Sequence, residues 1–412
     1  MSRSVRTVAI SVLILLSGAW RAFSAWVVIE VPMLPHWVGS IELRDINDSG
    51  VACGMGNYVI NTSSTAFRFN GTTVTELPHL TPADPITLVT GINNHGVICG
   101  YSHNAAGDSQ AVYWVGTTLY TIPYPPDANP DADFRAYDIN DAGVIVGYFW
   151  TPAGERAAFY YKDGVTYSLD AIIRAAGLGG TQGANAVNNA NVICGSARDL
   201  LGVETAWVYD INSGVLTVIG RIGTDHCGAN DVNLAGQTIG RAKQTAWDIY
   251  RAVTFDGTWQ VVDSTVNQVQ WGRGINDRGR MVGYANTSAN RWSWYSDGPC
   301  AGSIRAVTLP GWSRLSIEAI NNDDWMVAYG VTASSGTDTR ACIIRPPIGD
   351  ADHDGDIDTA DFQMLASCLS GPADGPGAPP SASCAKAFDF EPADGCIDLA
   401  DCARFQLAFE GS

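Results

Sequence analysis

The sequence predicts a mainly β fold, a seven-bladed β-propeller, and the chief observation behind this prediction is an internal repeat. An Ile/Val-Asn pair recurs at steps of 46, 47, 48, 45, 43 and 45 residues. The pairs are Ile46-Asn47, Ile92-Asn93, Ile139-Asn140, Val187-Asn188, Val232-Asn233, Ile275-Asn276 and Ile320-Asn321. A constant period of this length indicates a repeat architecture, and it matches the size of one four-stranded propeller blade.

The second observation is the order of short strands within each period. The Asn begins a turn that Gly closes, as in the stretch 91–100, GINNHGVICG, and an apolar β-branched run follows. An aromatic-rich strand comes next, for example TAFRF from Thr65 and TAWVY from Thr205, then a third strand such as Thr73 to Leu77. A fourth strand ends in the next Ile/Val-Asn. A β-solenoid usually has a shorter period, and separate sandwiches need about 100 residues each.

The third observation is that the two ends of the repeat region complement one another. The last repeat stops at Pro346-Pro347 and lacks its third strand. The segment 28–32, VIEVP, aligns with 74–78, VTELP, at an offset of 46. We therefore expect an N-terminal strand to complete the last blade and close the ring, which hides the sheet edges.

Composition and termini divide the chain of 412 residues into three regions. Arg3 and Arg6, a short apolar run and a small-residue site before Ala25 predict a signal peptide over 1–24, and hence a secreted or cell-surface protein. The propeller occupies 25–346, and a tail of different composition occupies 347–412. The net charge is −18, and the tail contributes −11, from 13 acids and 2 bases. The absence of Lys/Arg clusters argues against nucleic acid or an anionic membrane surface as partner.

The repeat resembles a family of bacterial extracellular repeats named for the tripeptide His-Ala-Phe (HAF repeats). The resemblance rests on the pattern Asp-Ile-Asn-x-x-Gly-x-x-x-Gly followed by an Ala-Phe/Trp strand, and it covers about 26–346. The His of the tripeptide is Thr, Gln, Ala or Arg here. The resemblance implies a repeat fold and no particular chemistry.

The tail begins with a predicted calcium loop, DADHDGDIDTAD, from Asp350. Oxygen ligands at alternate positions of a 12-residue loop can surround Ca²⁺, and Gly355 makes the sharp turn at the sixth position. The predicted ligands are Asp350, Asp352, Asp354, Asp356 (through its carbonyl), Asp358 and Asp361. Six neighbouring carboxylates repel one another unless a cation lies between them, which also favours calcium over an acidic linker.

A second loop-helix unit follows, because IDLAD from Ile397 repeats IDTAD from Ile357 at a spacing of 40. The pair of units resembles a type I dockerin module. That resemblance implies calcium-dependent docking on a cohesin-type or other surface receptor through Thr359, Ala360, Leu399 and Ala400. The second loop has thirteen positions from Asp389 to Asp401 instead of twelve, and Glu391 and Asp394 are its other candidate ligands. Its occupancy is left open.

The ten cysteines fall into two groups. Four lie in the tail, where a small core needs covalent staples, and we expect the disulfides Cys368–Cys384 and Cys396–Cys402 among the three possible pairings. Cys53, Cys99 and Cys194 share one register of the repeat. We expect them to be buried strand residues and not metal ligands. Cys227, Cys300 and Cys342 are unassigned.

Candidate ligand-binding residues lie between the repeats, in segments predicted to be the connections on one face of the propeller. They combine aromatic side chains with Asp and Arg, which suits a sugar or peptide ligand: Trp37, Asp131, Asp133, Arg135, Trp271, Arg273 and Trp312. We expect an exported, non-catalytic binding or display protein. The alternative is a glycoside hydrolase delivered by its dockerin to polysaccharide degradation, with Asp127, Asp131 or Asp133 as carboxylates. Those acids share one connection, which favours the first expectation.

Overall fold

The fold is taken from a computed structural model that describes residues 26–59, 63–81, 86–222, 226–243, 249–265, 268–286, 291–296, 298–299, 303–346, 361 and 363–364. Residues Trp26–Pro346 form one compact unit. This unit is a seven-bladed β-propeller of four-stranded antiparallel sheets.

Blades 1 to 6 each follow the chain from an inner strand beside the axis to an outer strand. Blade 1 contains β2 (Ile41–Ile46), β3 (Ala52–Val59), β4 (Ser63–Phe69) and β5 (Val74–Glu76), and blade 2 contains β6 (Thr87–Ile92), β7 (Val97–His103), β8 (Ser109–Val115) and β9 (Thr118–Thr121). Blade 3 contains β10 (Phe134–Ile139), β11 (Ile145–Trp150), β12 (Arg156–Lys162) and β13 (Val165–Ser168), and α1 (Asp170–Ala175) leads to blade 4. Blade 4 contains β14 (Leu178–Val187), β15 (Val192–Asp199), β16 (Glu204–Asp210) and β17 (Val215–Gly220). Blade 5 contains β18 (Cys227–Val232), β19 (Thr238–Lys243), β20 (Tyr250–Phe255) and β21 (Trp259–Val261), and blade 6 contains β22 (Val269–Ile275), β23 (Met281–Asn286), β24 (Arg291–Ser296) and β25 (Arg305–Val307).

Blade 7 closes the ring with strands from both ends of the propeller sequence. Its inner strand is β26 (Trp312–Ile320), followed outward by β27 (Met326–Thr332) and β28 (Thr339–Arg345), and its outer strand is β1 (Val27–Glu30). β1 pairs antiparallel with β28, from Val27 opposite Arg345 to Glu30 opposite Cys342. The predicted number of blades and the predicted closure by an N-terminal strand are both confirmed.

Two glycine positions explain the repeated Asn-x-x-Gly-x-x-x-Gly pattern. The first Gly closes the turn with positive φ, as in Gly50 at 72° and Gly96 at 74°. The second Gly lies where the inner strand approaches closely, since a Cβ on Gly100 would come within 2.0 Å of the Leu88 carbonyl oxygen. Both glycines are thus fixed by backbone geometry.

The core runs between neighbouring blades and contains the aromatic-rich strands, each of which is the third strand from the axis in its blade. Trp114, Trp207 and Trp294 of these strands are fully buried. The strand cysteines are buried and free, as predicted for Cys53, Cys99 and Cys194, and so are Cys227 and Cys342. Burial raises the thiol pKa of the first three well above the usual range. Within the described ranges, no helix is long and apolar enough to cross a membrane.

Candidate functional site

One end of the central channel is encircled by a hydrogen-bonded ring of the seven repeated asparagines, here called the asparagine ring. The Asn47 Nδ2 donates to the Asn93 carbonyl of the next blade, and the pattern continues until the Asn321 Nδ2 returns to the Asn47 carbonyl. The seven N···O distances lie between 2.7 and 3.1 Å. The Asn47 Oδ1 also accepts from Ser49 N and Val51 N within its own turn. Each buried amide therefore caps one turn and joins two blades.

A second circle surrounds this end, one residue further along each turn, and is here called the rim. It consists of Asp48, Asn94, Asp141, Asn189, Leu234, Asp277 and Asn322. Asn and Asp alternate, so that Asn94 Nδ2 lies 3.0 Å from Asp48 Oδ2 and 3.1 Å from Asp141 Oδ2. Seven positions cannot alternate completely. The interruption falls at Leu234, which is 52% exposed.

The interior of the channel is lined at a third level by residues that lie three positions before each ring asparagine. All seven inner strands carry a β-bulge at this position. The bulge residues are Arg44, Thr90, Tyr137, Asn185, Asn230, Arg273 and Glu318, here called the bulge ring. A bulge leaves one residue unpaired and turns its side chain, and all seven line a cavity of about 470 Å³. The bulge ring is polar and differs from blade to blade.

Three carboxyl groups lie between the asparagine ring and the bulge ring, in blades 1, 3 and 5. The Asp45 Oδ1 accepts from Ile46 N and its Oδ2 from Ile92 N of the next blade, both at 2.8 Å. Asp138 and Asp231 make the equivalent bonds. Desolvation raises the pKa of Asp45 to about 7, that of Asp231 to about 6 and that of Asp138 well above its usual range. The sequence analysis does not identify these residues, although Asp alternates with Gly or Ala two positions before the ring asparagines in blades 1 to 6.

An ion-pair cluster at the bulge ring joins blade 7 to its two neighbours, blades 6 and 1. The Glu318 side chain, only 3% exposed, pairs with Arg273 and lies 4.0 Å from Arg44. Its Oε1 accepts from Ser316 Oγ at 3.0 Å. Arg44 also pairs with Glu42 at 2.6 Å. On this side of the channel the two arginines are therefore balanced by the two glutamates.

A side pocket of about 350 Å³ opens from the channel across blades 3 to 5. Tyr137, Asn185 and Asn230 of the bulge ring line both cavities. The pocket also contains Arg156, Arg198, Glu204 and Arg241. The Arg241 Nη2 pairs with Glu204 Oε1 at 3.2 Å, and its guanidinium stacks on Trp271 at 4.7 Å from the ring centroid. The Arg156 guanidinium stacks on Tyr148 at 3.6 Å.

Several predicted ligand-binding residues lie on inner strands, and their expected position in the connections is wrong. Arg135 is in β10, Trp271 and Arg273 are in β22, and Trp312 begins β26. The inner strands extend further from the asparagine turn than the hairpin pattern indicated, because the bulge adds a residue without ending the strand. Arg135 and Arg273 both line the channel.

The other predicted residues are not brought into the channel. Trp37 is 4% exposed and donates from Nε1 to Glu76 at 2.8 Å, so it belongs to the core. Asp131 is exposed, and Asp133 pairs with Arg135 at 2.7 Å. Partial burial opposes ionisation of Asp133, but the Ser109 N–H and Arg135 outweigh it and lower its pKa. The Asp127 carboxylate accepts from the Ser168 hydroxyl.

The predicted signal peptide, calcium ligands, docking residues and tail disulfides lie outside the described residues, with one exception. Asp361, the predicted twelfth residue of the first loop, is helical and fully buried. Within the described part of the chain, no cluster of His, Cys, Asp and Glu could hold a metal ion.

Comparison with known proteins finds similar architectures among solved structures. No family model and no curated protein matches the sequence. TolB from Acinetobacter baumannii aligns over 66% of this chain and 63% of its own, at 11% identity and a TM-score of 0.42. Trypanosoma rangeli sialidase aligns over 85% and 60%, at 12% and 0.39. The six-bladed Aleuria aurantia lectin aligns over 67% and 99%, at 10% and 0.36. The chain thus spans less than two thirds of the TolB and sialidase structures.

Proposed function

We propose that this protein is an exported, non-catalytic propeller that binds a glycan at the connection-side mouth of its channel, opposite the asparagine ring. One observation carries the proposal. At the asparagine ring the seven repeats keep one residue, whereas at the bulge ring they present Arg, Thr, Tyr, Asn, Asn, Arg and Glu to one cavity. The circle of hydrogen bonds closes only if every blade supplies an asparagine that caps its own turn and donates to the next blade. A varied polar lining instead gives the orientation-specific contacts of a ligand pocket.

The aromatic and cationic side chains around this mouth suit a sugar. Tyr101 and Tyr137 line the channel beside the bulge ring. Arg135 stacks on Tyr101 at 4.6 Å. Guanidinium and amide donors bind sugar hydroxyls, and flat aromatic rings pack against sugar C–H faces.

A polysaccharide microarray probed with the fluorescently labelled full chain tests this function. We expect binding to at least one glycan, and at least a tenfold loss in the Tyr137→Ala and Arg135→Ala variants, since both side chains line the channel. A short side chain is compatible with the strand at both positions, since the equivalent residue is Gly183 for Arg135 and Thr90 for Tyr137. Leu234→Ala, at the opposite end of the channel, is the control and should bind normally. Binding that both mouth variants retain would remove the proposal.

We further propose that the tail attaches the propeller, through Ca²⁺, to a cohesin-type receptor. The support is the loop pattern from Asp350 to Asp361, whose alternating carboxylates match a hard cation. Calorimetric titration of the full chain with calcium should show saturable binding that Asp350→Ala combined with Asp354→Ala weakens. A pull-down of exported host proteins with the immobilised full chain, in calcium and in chelator, should recover a receptor only in calcium. Calcium-independent recovery, or no difference between the variant and the unmodified chain, would contradict the attachment.

The second candidate function is glycoside hydrolysis, favoured by the raised pKa values of Asp45, Asp138 and Asp231 in the channel. Against it, both carboxylate oxygens of each group accept a backbone N–H, which suits a link between blades. Hydrolysis of chromogenic polysaccharides by the full chain, abolished in Asp45→Asn, would establish the enzyme.

A further inference from the structure

One wall of the side pocket contains Gly183, at a repeated position where other blades carry long side chains. Five residues before the ring asparagine, blades 2, 3 and 6 carry Leu88, Arg135 and Trp271, whereas blades 4 and 5 carry Gly183 and Gly228. A Cβ on Gly183 would lie 3.3 Å from Asn185 Oδ1 and 3.6 Å from Arg156 Nη2, and one on Gly228 would lie 2.9 Å from Glu204 Oε1. The glycines therefore leave space that polar side chains of neighbouring strands occupy.

We propose that this side pocket binds a sugar acid, one hexuronate unit whose carboxylate is held by arginines. The inference rests on the proposed glycan-binding function and names the chemical class of the sugar. The first support is charge. Three arginines face one carboxylate, Glu204, which Arg241 already pairs. Among the described residues, no carboxylate pairs with Arg156 or Arg198.

Arg156 is held in place without being neutralised. Its guanidinium lies over the Tyr148 ring, and its Nη2 donates to the Tyr137 hydroxyl at 3.3 Å. Its Nε is buried and has no acceptor. A planar guanidinium that is already oriented matches a carboxylate in a two-point contact and loses little side-chain entropy on binding.

The rest of the lining favours a sugar over a lipid, an apolar peptide side chain or a bare anion. Apart from Tyr137, the pocket is lined by polar groups and glycine, including the hydroxyls of Thr181 and Ser196 and the amide of Asn230. These groups donate to and accept from sugar hydroxyls. A volume of about 350 Å³ is at the low end for small-molecule pockets and suits one monosaccharide unit. Since the pocket and the channel share Tyr137, Asn185 and Asn230, a longer glycan can continue into the channel.

The test is calorimetric titration of the full chain with galacturonate, glucuronate, galactose, galactose 6-phosphate and inorganic phosphate. We expect a uronate to bind at least tenfold more tightly than galactose and either phosphate. Gly183→Leu, which introduces the residue blade 2 has at this position, should reduce uronate binding at least tenfold by filling the pocket. Arg198→Gln should reduce it severalfold, and both variants should keep the melting temperature of the unmodified chain.

Arg314→Gln is the matched control, because Arg314 is an exposed arginine at the start of the blade 7 inner strand and outside the pocket. It should bind the uronate normally. Galactose binding equal to uronate binding, or tighter binding of a phosphate, would overturn the carboxylate proposal and leave glycan binding intact. If a folded Gly183→Leu variant still binds the uronate, the side pocket is not the uronate site. A chain that binds no glycan on the microarray and none of these sugars would remove both the inference and the proposed function.

Discussion

Two levels of the same channel, only a few residues apart on each inner strand, follow opposite rules. At the asparagine ring every blade contributes the same buried amide, and the bonds close into a circle. At the bulge ring every blade has the same backbone irregularity, yet the side chains range from Arg44 to Glu318. Identity at one level and variety at the other indicate that the repeat preserves the scaffold at the first and builds an asymmetric surface at the second.

The largest expected effect compares the two levels on a single strand. The Asn188 side chain makes three bonds, to the Asn233 carbonyl and from Ala190 N and Val192 N, whereas Asn185 makes one, to the Ala229 carbonyl. At about 1 kcal/mol for each net bond, Asn188→Ala should lower the free energy of unfolding by about 3 kcal/mol. Asn185→Ala, the matched control, should cost about 1 kcal/mol. Urea denaturation of both variants measures the difference, and equal losses would refute the distinction.

The next effect compares the two arginines of the bulge ring. Arg273→Gln removes the main partner of the nearly buried Glu318 carboxylate and should cost about 2 kcal/mol. Arg44→Gln loses mainly the more exposed pair with Glu42 and should cost less than about 1 kcal/mol. Denaturation of each variant measures both. A greater loss for Arg44→Gln would show that the pairing with Glu318 is misassigned.

The channel carboxyls predict a pH dependence of stability. The folded-state pKa of Asp45 is raised from 3.8 to about 7, so protonation favours the fold. Its contribution is complete at pH values below about 4 and is lost as the pH rises through 7. Asp45→Asn cannot ionise, so its stability relative to the unmodified chain should improve between pH 5 and pH 7.5. Denaturation at both values measures this, with exposed Asp131→Asn as control, and parallel pH profiles would contradict the raised pKa.

The smallest effect concerns the interruption of the rim. Leu234→Asn places an amide between Asn189 and Asp277, within reach of the Asp277 carboxylate that already accepts from the residue 234 N–H at 2.7 Å. We expect a gain of about 0.5 kcal/mol, typical of one exposed hydrogen bond. Thermal unfolding should show a slightly higher melting temperature. A decrease would indicate that Leu234 has a packing role that its 52% exposure does not reveal.

The position of the binding candidates shows where sequence reasoning reached its limit. Residue type identifies Arg135, Trp271 and Arg273 as candidates, but the sequence pattern places them in connections, because the bulge cannot be read from a period of apolar residues. Residue type also selects Trp37, although its indole fills space beside Gly56 in the core. Aromatic type alone does not distinguish a core residue from a surface one.

The sequence by itself determined the number of blades, the turn geometry and the closure by the N-terminal strand. These features follow from local chemistry repeated at a fixed period, namely the turn-capping Asn, the turn Gly and the alternating strand pattern. Only the tertiary structure decided which polar residues meet in the channel, that Gly183 lies in the wall of a side pocket, and that Arg156 lies there without a carboxylate partner among the described residues. The reason is that residues 40 or more positions apart become neighbours only when the ring closes, and repetition in the chain does not state which side chains then face the axis.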